Sequence, residues 1–195
     1  MIVRDIIRLV KLKLGNLALT RDEESILVLI NLGVSELYRR FNLAIKSETV
    51  PTNSNLSLYE LRNEDVLLLL GVYNHLGKEL RQLDTIGDNE YDYKIVNYRS
   101  FILRKPVDGY VYALYKGSPI PLKDENDMVD LPVAMIDALL AYISHIGHST
   151  INKDNMNEAS MWYQRFETAC QLLDMQGYKI PLHIETLPIQ AKGFV

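Results

Sequence analysis

Phe101-Ile102-Leu103-Arg104-Lys105-Pro106-Val107-Asp108-Gly109-Tyr110-Val111-Tyr112-Ala113-Leu114-Tyr115 decides what kind of fold this chain can adopt. Two short runs rich in β-branched and aromatic residues flank a turn sequence. Pro106 presets one turn dihedral and Gly109 tolerates a positive one. The stretch predicts a hairpin of Phe101–Lys105 and Tyr110–Tyr115. In its second run Tyr110, Tyr112 and Leu114 point one way, while Val111, Ala113 and Tyr115 point the other. Neither face is polar, so both are expected to be covered, one of them by another subunit.

The same texture extends upstream. Val66–Tyr73, then Asn74-His75-Leu76-Gly77, then Lys78–Leu83 predict a second hairpin with a four-residue loop. Asp84–Asp92 is a charged excursion between strands. Residues 44–129 are therefore expected to form a β-rich insertion, and the chain on either side of them has a different period.

Val3, Ile7, Val10 and Leu14 recur at helical spacing, with Arg4, Arg8 and Lys11 opposite and Gly15-Asn16 as the stop. Thr20-Arg21-Asp22-Glu23 reads as a capping box for a second helix. That helix has an apolar face of Leu27, Ile30, Val34, Leu37 and Phe41, widened by Leu29 and Leu32. Gly33 in its middle costs roughly 1 kcal/mol relative to alanine, which points to close helix packing there. Beyond the insertion, Asp130-Leu131-Pro132 suits a helix start, with Asp at the cap and Pro in the first turn. Residues 133–146 are apolar nearly all round apart from a stripe at Asp137, Ser144, His145 and His148, as expected of a helix central to a bundle. A last helix is predicted from about Asn152 to Gln176, with Ala159, Trp162, Phe166, Ala169 and Leu173 facing inward and Gly177 ending it. Tyr178–Val195 alternates apolar and polar residues between Pro181 and Pro188 and reads as an extended arm. The expected class is α+β: an antiparallel bundle of about four helices (residues 1–43 and 130–177), an inserted antiparallel β-domain (44–129) and a C-terminal arm (178–195).

Composition narrows the function. At 195 residues with 48% hydrophobic side chains, the chain can bury a core without cross-links. A net charge of −4 is opposite to what a sequence-specific DNA binder needs to neutralise phosphates. Cys170 is the single cysteine, so no internal disulfide or cysteine-based zinc site is available. Charges at Arg4 and Asp5 interrupt any signal-peptide core, and the apolar runs Val66–Tyr73 and Leu131–Met135 are too short to span a membrane. Synthesis and folding in a reducing cytosol are expected, with Asn55-Leu56-Ser57 an unused sequon.

Each motif that could carry chemistry has a plainer reading. Gly71 to Gly77 with Lys78 and Glu79 has five residues between its glycines, not the four of a phosphate loop, and lacks the Ser or Thr after Lys. Turn chemistry explains it. His145 and His148 are spaced to share a metal, but Asp137 lies two turns back and Asp154 would have to fold over. A polar stripe near a helix end accounts for the pair. Cys170, on the inward face of the last helix, is expected to be a buried, inert thiol. Most of the twelve tyrosines suit strands. Tyr91, Tyr93 and Tyr98, in a charged, loop-like context, are candidates for interface contacts. No cofactor is expected.

The order of parts resembles the head–tail adaptor (connector) proteins of tailed bacteriophages, particularly the ring proteins under the portal of short-tailed phages. The residues that carry the resemblance are Asp65-Val66 through Leu70-Gly71-Val72-Tyr73, Gly77-Lys78-Glu79-Leu80, and Pro106 through Gly109 with Tyr110–Tyr115. Leu131-Pro132, Ala138-Leu139-Leu140-Ala141-Tyr142, and Ala159, Tyr163, Phe166 and Glu167 complete it, over roughly residues 20–177. The resemblance implies a structural virion protein without enzymatic activity, made in the host cytoplasm. It further implies a homo-oligomeric ring, commonly twelvefold, between the portal and the tail nozzle, with DNA passing through its lumen without specific binding. A C-terminal arm reaching the portal or a neighbouring subunit is also implied. Tyr178, Ile180, Leu182, Ile184, Leu187 and Ile189 are the partner-binding residues expected for that role. Two alternatives stand beside it: a cytosolic binding module or small metal-dependent enzyme with a site near His145 and His148, and another phage neck or tail-completion protein.

Overall fold

Apolar residues three and four apart give the first helix, α1 (Val3–Leu14), which buries Val3, Ile6, Ile7, Val10 and Leu14. In full, the computed structural model describes residues 1–14, 23–83, 92–151 and 156–178. After α1 come α2 (Glu23–Arg40), β1 (Ile45–Thr52), β2 (Leu58–Glu60), β3 (Val66–Tyr73), β4 (Tyr93–Asn97), β5 (Ser100–Leu103) and β6 (Gly109–Gly117). A 3-10 turn (Val133–Met135) then leads into α3 (Ile136–Ile151) and α4 (Met156–Met175). The class is α+β, as the change of period along the chain requires. Gly15-Asn16, nearly all of the Thr20–Glu23 box, most of the Asp84–Asp92 excursion and the arm beyond Tyr178 lie outside the described residues.

The described chain divides into two compact units. One comprises Met1–Asn42 and the described residues from Pro119 onward, and the other Leu43–Ser118. Residues 119–129 thus lie with the helices, whereas their texture had placed them in the insertion.

In the helical unit α3 packs on α1, α2 and α4, which is why its sequence is apolar on nearly every side. Ala138, Leu139 and Ile143 are fully buried. Gly33 is where α2 approaches it. A Cβ built there would lie 2.6 Å from Leu139 Cδ1 and 3.5 Å from Ile143 Cγ1, so the missing side chain is what allows the approach. The buried face of α2 is Ile26, Leu29, Ile30, Val34, Leu37 and Tyr38, with Phe41 just beyond the helix. Leu27 is only partly buried and Leu32 is 49% exposed, so the predicted face was set slightly off axis. On α4, Ala159, Phe166, Cys170 and Leu173 are buried, while Trp162 and Ala169 are half-buried. Gly177 ends the helix at φ 89°: its N–H donates to Asp174 O and the Tyr178 N–H to Leu173 O, the paired bonds of a Schellman cap. Asp130 does not cap the next helix. It accepts the Tyr38 hydroxyl instead, and Pro132 precedes a 3-10 turn that has no side-chain cap.

The second unit is built from two three-stranded antiparallel sheets, ordered β1-β6-β3 and β2-β5-β4. The predicted Phe101–Tyr115 hairpin does not form. β5 pairs with β2 and β4, and β6 with β1 and β3, so Pro106–Gly109 carries the chain from one sheet to the other. Turn residues mark a reversal but do not choose the partner strand. The hairpin predicted over Val66–Leu83 forms only at its tip. Asn74 N–H donates to Lys78 O, Gly77 sits at φ 77°, and pairing stops after a single Tyr73–Glu79 bridge. The core is shared by both sheets: Tyr59, Leu61, Leu69, Val72, Tyr93, Phe101, Val111, Ala113 and Tyr115 form one buried cluster. The two apolar faces read in β6 are both real. Opposite that core, Leu114 and Tyr73 pack with Ile45, Leu70 and Tyr112.

Candidate functional site

Reactive side chains in the helical unit are engaged with their neighbours. His145 Nδ1 lies 2.9 Å from Ala159 O, and His148 Nδ1 lies 3.0 Å from Glu158 Oε2. Each ring thus ties α3 to α4. Among the described residues no group of three His, Cys, Asp or Glu side chains is placed to hold a metal. Cys170 is buried, and burial pushes its thiol up to about 11, so it is protonated at neutral pH. In the turn after β3, the Asn74 carboxamide oxygen accepts the Leu76 and Lys78 N–H groups, which is the turn chemistry expected of a hairpin tip.

Arg40 is the main polar tie between α2 and α4. Its Nη2 donates to Glu167 Oε1 at 2.7 Å, its Nε donates to Glu36 Oε1 at 2.7 Å, and its guanidinium lies 4.5 Å from the Phe166 ring centroid. Burial pushes the Glu36 carboxyl up, but hydrogen bonds from Arg39 and Arg40 outweigh this and hold it below the usual carboxylate range. A depressed folded value means stabilisation that is present above the unfolded pKa and is lost as the pH falls through the folded one. Arg40→Met, which keeps the stem over Phe166, is expected to cost about 1–2 kcal/mol at pH 7, discounted because the pair is partly solvated. Urea titrations should show the gap to the unsubstituted protein narrowing below about pH 4. A gap independent of pH would mean that Glu36 contributes little.

A strap on the helical unit gave no sequence signal. Asn31 holds the Leu122 backbone at both ends, its Nδ2 donating to Leu122 O and its Oδ1 accepting Leu122 N–H, each at 2.9 Å. The N–H groups of Val3 and Arg4 donate to Asp127 O and Glu125 O, and Arg4 Nη2 pairs with Glu125 Oε1 at 2.7 Å. Asp127 accepts the Lys123 and Asp124 N–H groups, which holds its carboxyl below the usual range. The result is a pinned acidic loop with Met128 69% exposed at its surface.

Of the tyrosines expected at interfaces, Tyr93 is not available. It is 1% exposed, stacked edge-on against Phe101, because β4 turns it into the core. Tyr98, in the turn after β4, is 54% exposed, and Tyr91 lies outside the described residues. Of the six residues expected in the arm, only Tyr178 is described, as the residue closing the α4 cap. Among the described residues no helix is long and apolar enough to cross a membrane.

Ties between α2, α3 and α4, a pinned exposed loop and a sheet unit with two apolar faces are what the described residues present. The chain belongs to the SU10 adaptor protein family, whose model matches residues 1–180. It is a bacteriophage adaptor with a structural role. No curated protein matches it.

Proposed function

We infer that this adaptor forms a closed ring at the head–tail junction of a short-tailed phage, linking the portal to the tail and forming part of the DNA conduit. The family match over residues 1–180 carries the reading. Two physical features support it. Ring contacts are head-to-tail, so each subunit needs two different complementary patches, and its two units offer distinct surfaces. A net charge of −4, repeated around a lumen, disfavours tight binding of passing DNA. In this reading the protein is made in the host cytoplasm and resides in the virion. Light scattering on the purified protein, alone and with its portal, tests it. A ring-sized mass with the portal is expected, and a protein that stays monomeric and ignores the portal would sink the reading.

The arm is assigned to partner attachment, through Tyr178, Ile180, Leu182, Ile184, Leu187 and Ile189. A chain ending at Gly177 is expected to keep its helical circular dichroism and to melt within a few degrees of the full chain, while losing attachment to the portal. Collapse of the fold would show instead that the arm belongs to the core.

A further inference from the structure

We propose that an apolar groove on the helical unit is the docking site of this chain's own C-terminal arm, residues 179–195. Two adjoining hollows, of about 360 and 250 Å³, share Pro119 and Pro121. Ile120 and Met128 line the first, and Val28 and Leu32 line the second. These four side chains are all exposed, Ile120 at 88%. The two prolines contribute no backbone N–H, so what the groove offers along them is apolar surface. A contiguous apolar patch of this kind marks an interaction site.

The arm begins beside this groove. α3 and α4 run antiparallel, with His145 against Ala159 and Tyr142 against Phe166, so the C-terminal turns of α4 lie by the 3-10 turn Val133–Met135, on which α4 packs. The groove wall formed by Met128, Val129 and Asp130 leads directly into that turn. The described residues end at Tyr178, which closes the α4 cap. The segment that follows can span roughly 55 Å when extended, far more than the approach to the groove requires. It carries Ile180, Leu182, Ile184, Leu187 and Ile189, apolar at nearly every second position, as suits a chain lying along an apolar groove. Tethering decides the occupant. Six apolar side chains are a small patch beside the roughly 800 Å² per partner that a stable contact between folded subunits buries. A segment of the same chain needs much less affinity, because a short flexible connection holds it at an effective concentration in the millimolar range. The arm residues involved are those assigned above to partner attachment, so the groove shields them until a partner takes the arm. That shielding rests on the reading above, whereas the docking depends neither on it nor on the ring.

Nuclear magnetic resonance on the full chain tests it. Backbone amides between Ile180 and Ile189 are expected to show order parameters near those of the helices, about 0.8, and to fall below about 0.6 when Leu32→Asp or Ile120→Asp spoils the groove. Both positions are exposed, so helical circular dichroism should be unchanged, and Leu12→Asp, at an exposed position on α1, should leave the arm as it was. Nuclear Overhauser contacts between arm methyl groups and Met128 Cε should be present in the unsubstituted chain. An arm with order parameters below about 0.6 in the unsubstituted chain, or one that stays rigid in both groove variants, would overturn the proposal. Rigidity that is lost on dilution would place the arm in the groove of a second copy, and would overturn it too. None of these outcomes changes the ring reading, which the light-scattering mass decides.

Discussion

Replacing Gly33 with leucine is expected to destabilise the helical unit by more than about 3 kcal/mol, at the upper end of what overpacking does in a well-filled core. Glycine in mid-helix is unfavourable by itself, by about 1 kcal/mol, so its presence needs a steric reason. That reason is the 2.6 Å separation between a built Cβ and Leu139 Cδ1, with Ile143 and Tyr142 atoms behind it at 3.5 and 3.6 Å. Leu139 and Ile143 are themselves fully buried and have nowhere to retreat. Alanine is the finer probe, because its propensity gain offsets part of the clash and the net cost should be about 1 kcal/mol. Leu139→Ala alone should cost about 2–5 kcal/mol. Combined with Gly33→Ala it should cost at least about 1 kcal/mol less than the sum, because the new methyl group fills space that the leucine vacates. Urea denaturation of the four proteins measures this. Strict additivity would show that α2 and α3 are not in contact at this point.

Phe101→Ala is expected to cost about 3–5 kcal/mol. Phe101 is fully buried, stacked on Tyr59 at 5.7 Å and edge-on to Tyr93 at 6.5 Å. It lies at the centre of β5, whose neighbours β2 and β4 hold it on both sides. Losing the ring would remove its own burial and two aromatic contacts, and would leave a cavity between rigid sheets. Tyrosine near-ultraviolet dichroism, reporting on Tyr59 and Tyr93, should fall with it. An effect below about 1 kcal/mol would mean that the core of the β unit lies elsewhere.

Helical periodicity made the helical unit legible. The faces of α1 and α3 and the reason for Gly33 follow from spacing and propensity, because a helix is a local structure. Partner choice between strands is not local. Pro106–Gly109 has the composition of a hairpin turn, yet it joins strands of two different sheets, since β6 gains eight paired positions on β1 that β5 could not supply. The same limit explains Tyr93: its flanking charges suggested a loop, while pairing with Leu103 turned it inward. On the site side, the inward placement of Cys170 was readable from helical period, whereas the α4 partners of His145 and His148 were not. The strap was not readable, because Asn31 and Leu122 are 91 residues apart and only the folded chain brings them together.

Electron cryomicroscopy of the phage particle bears most directly on the ring assignment. Density for this chain should form a closed ring between portal and tail. A head–tail junction that contains no copy of the chain would contradict it.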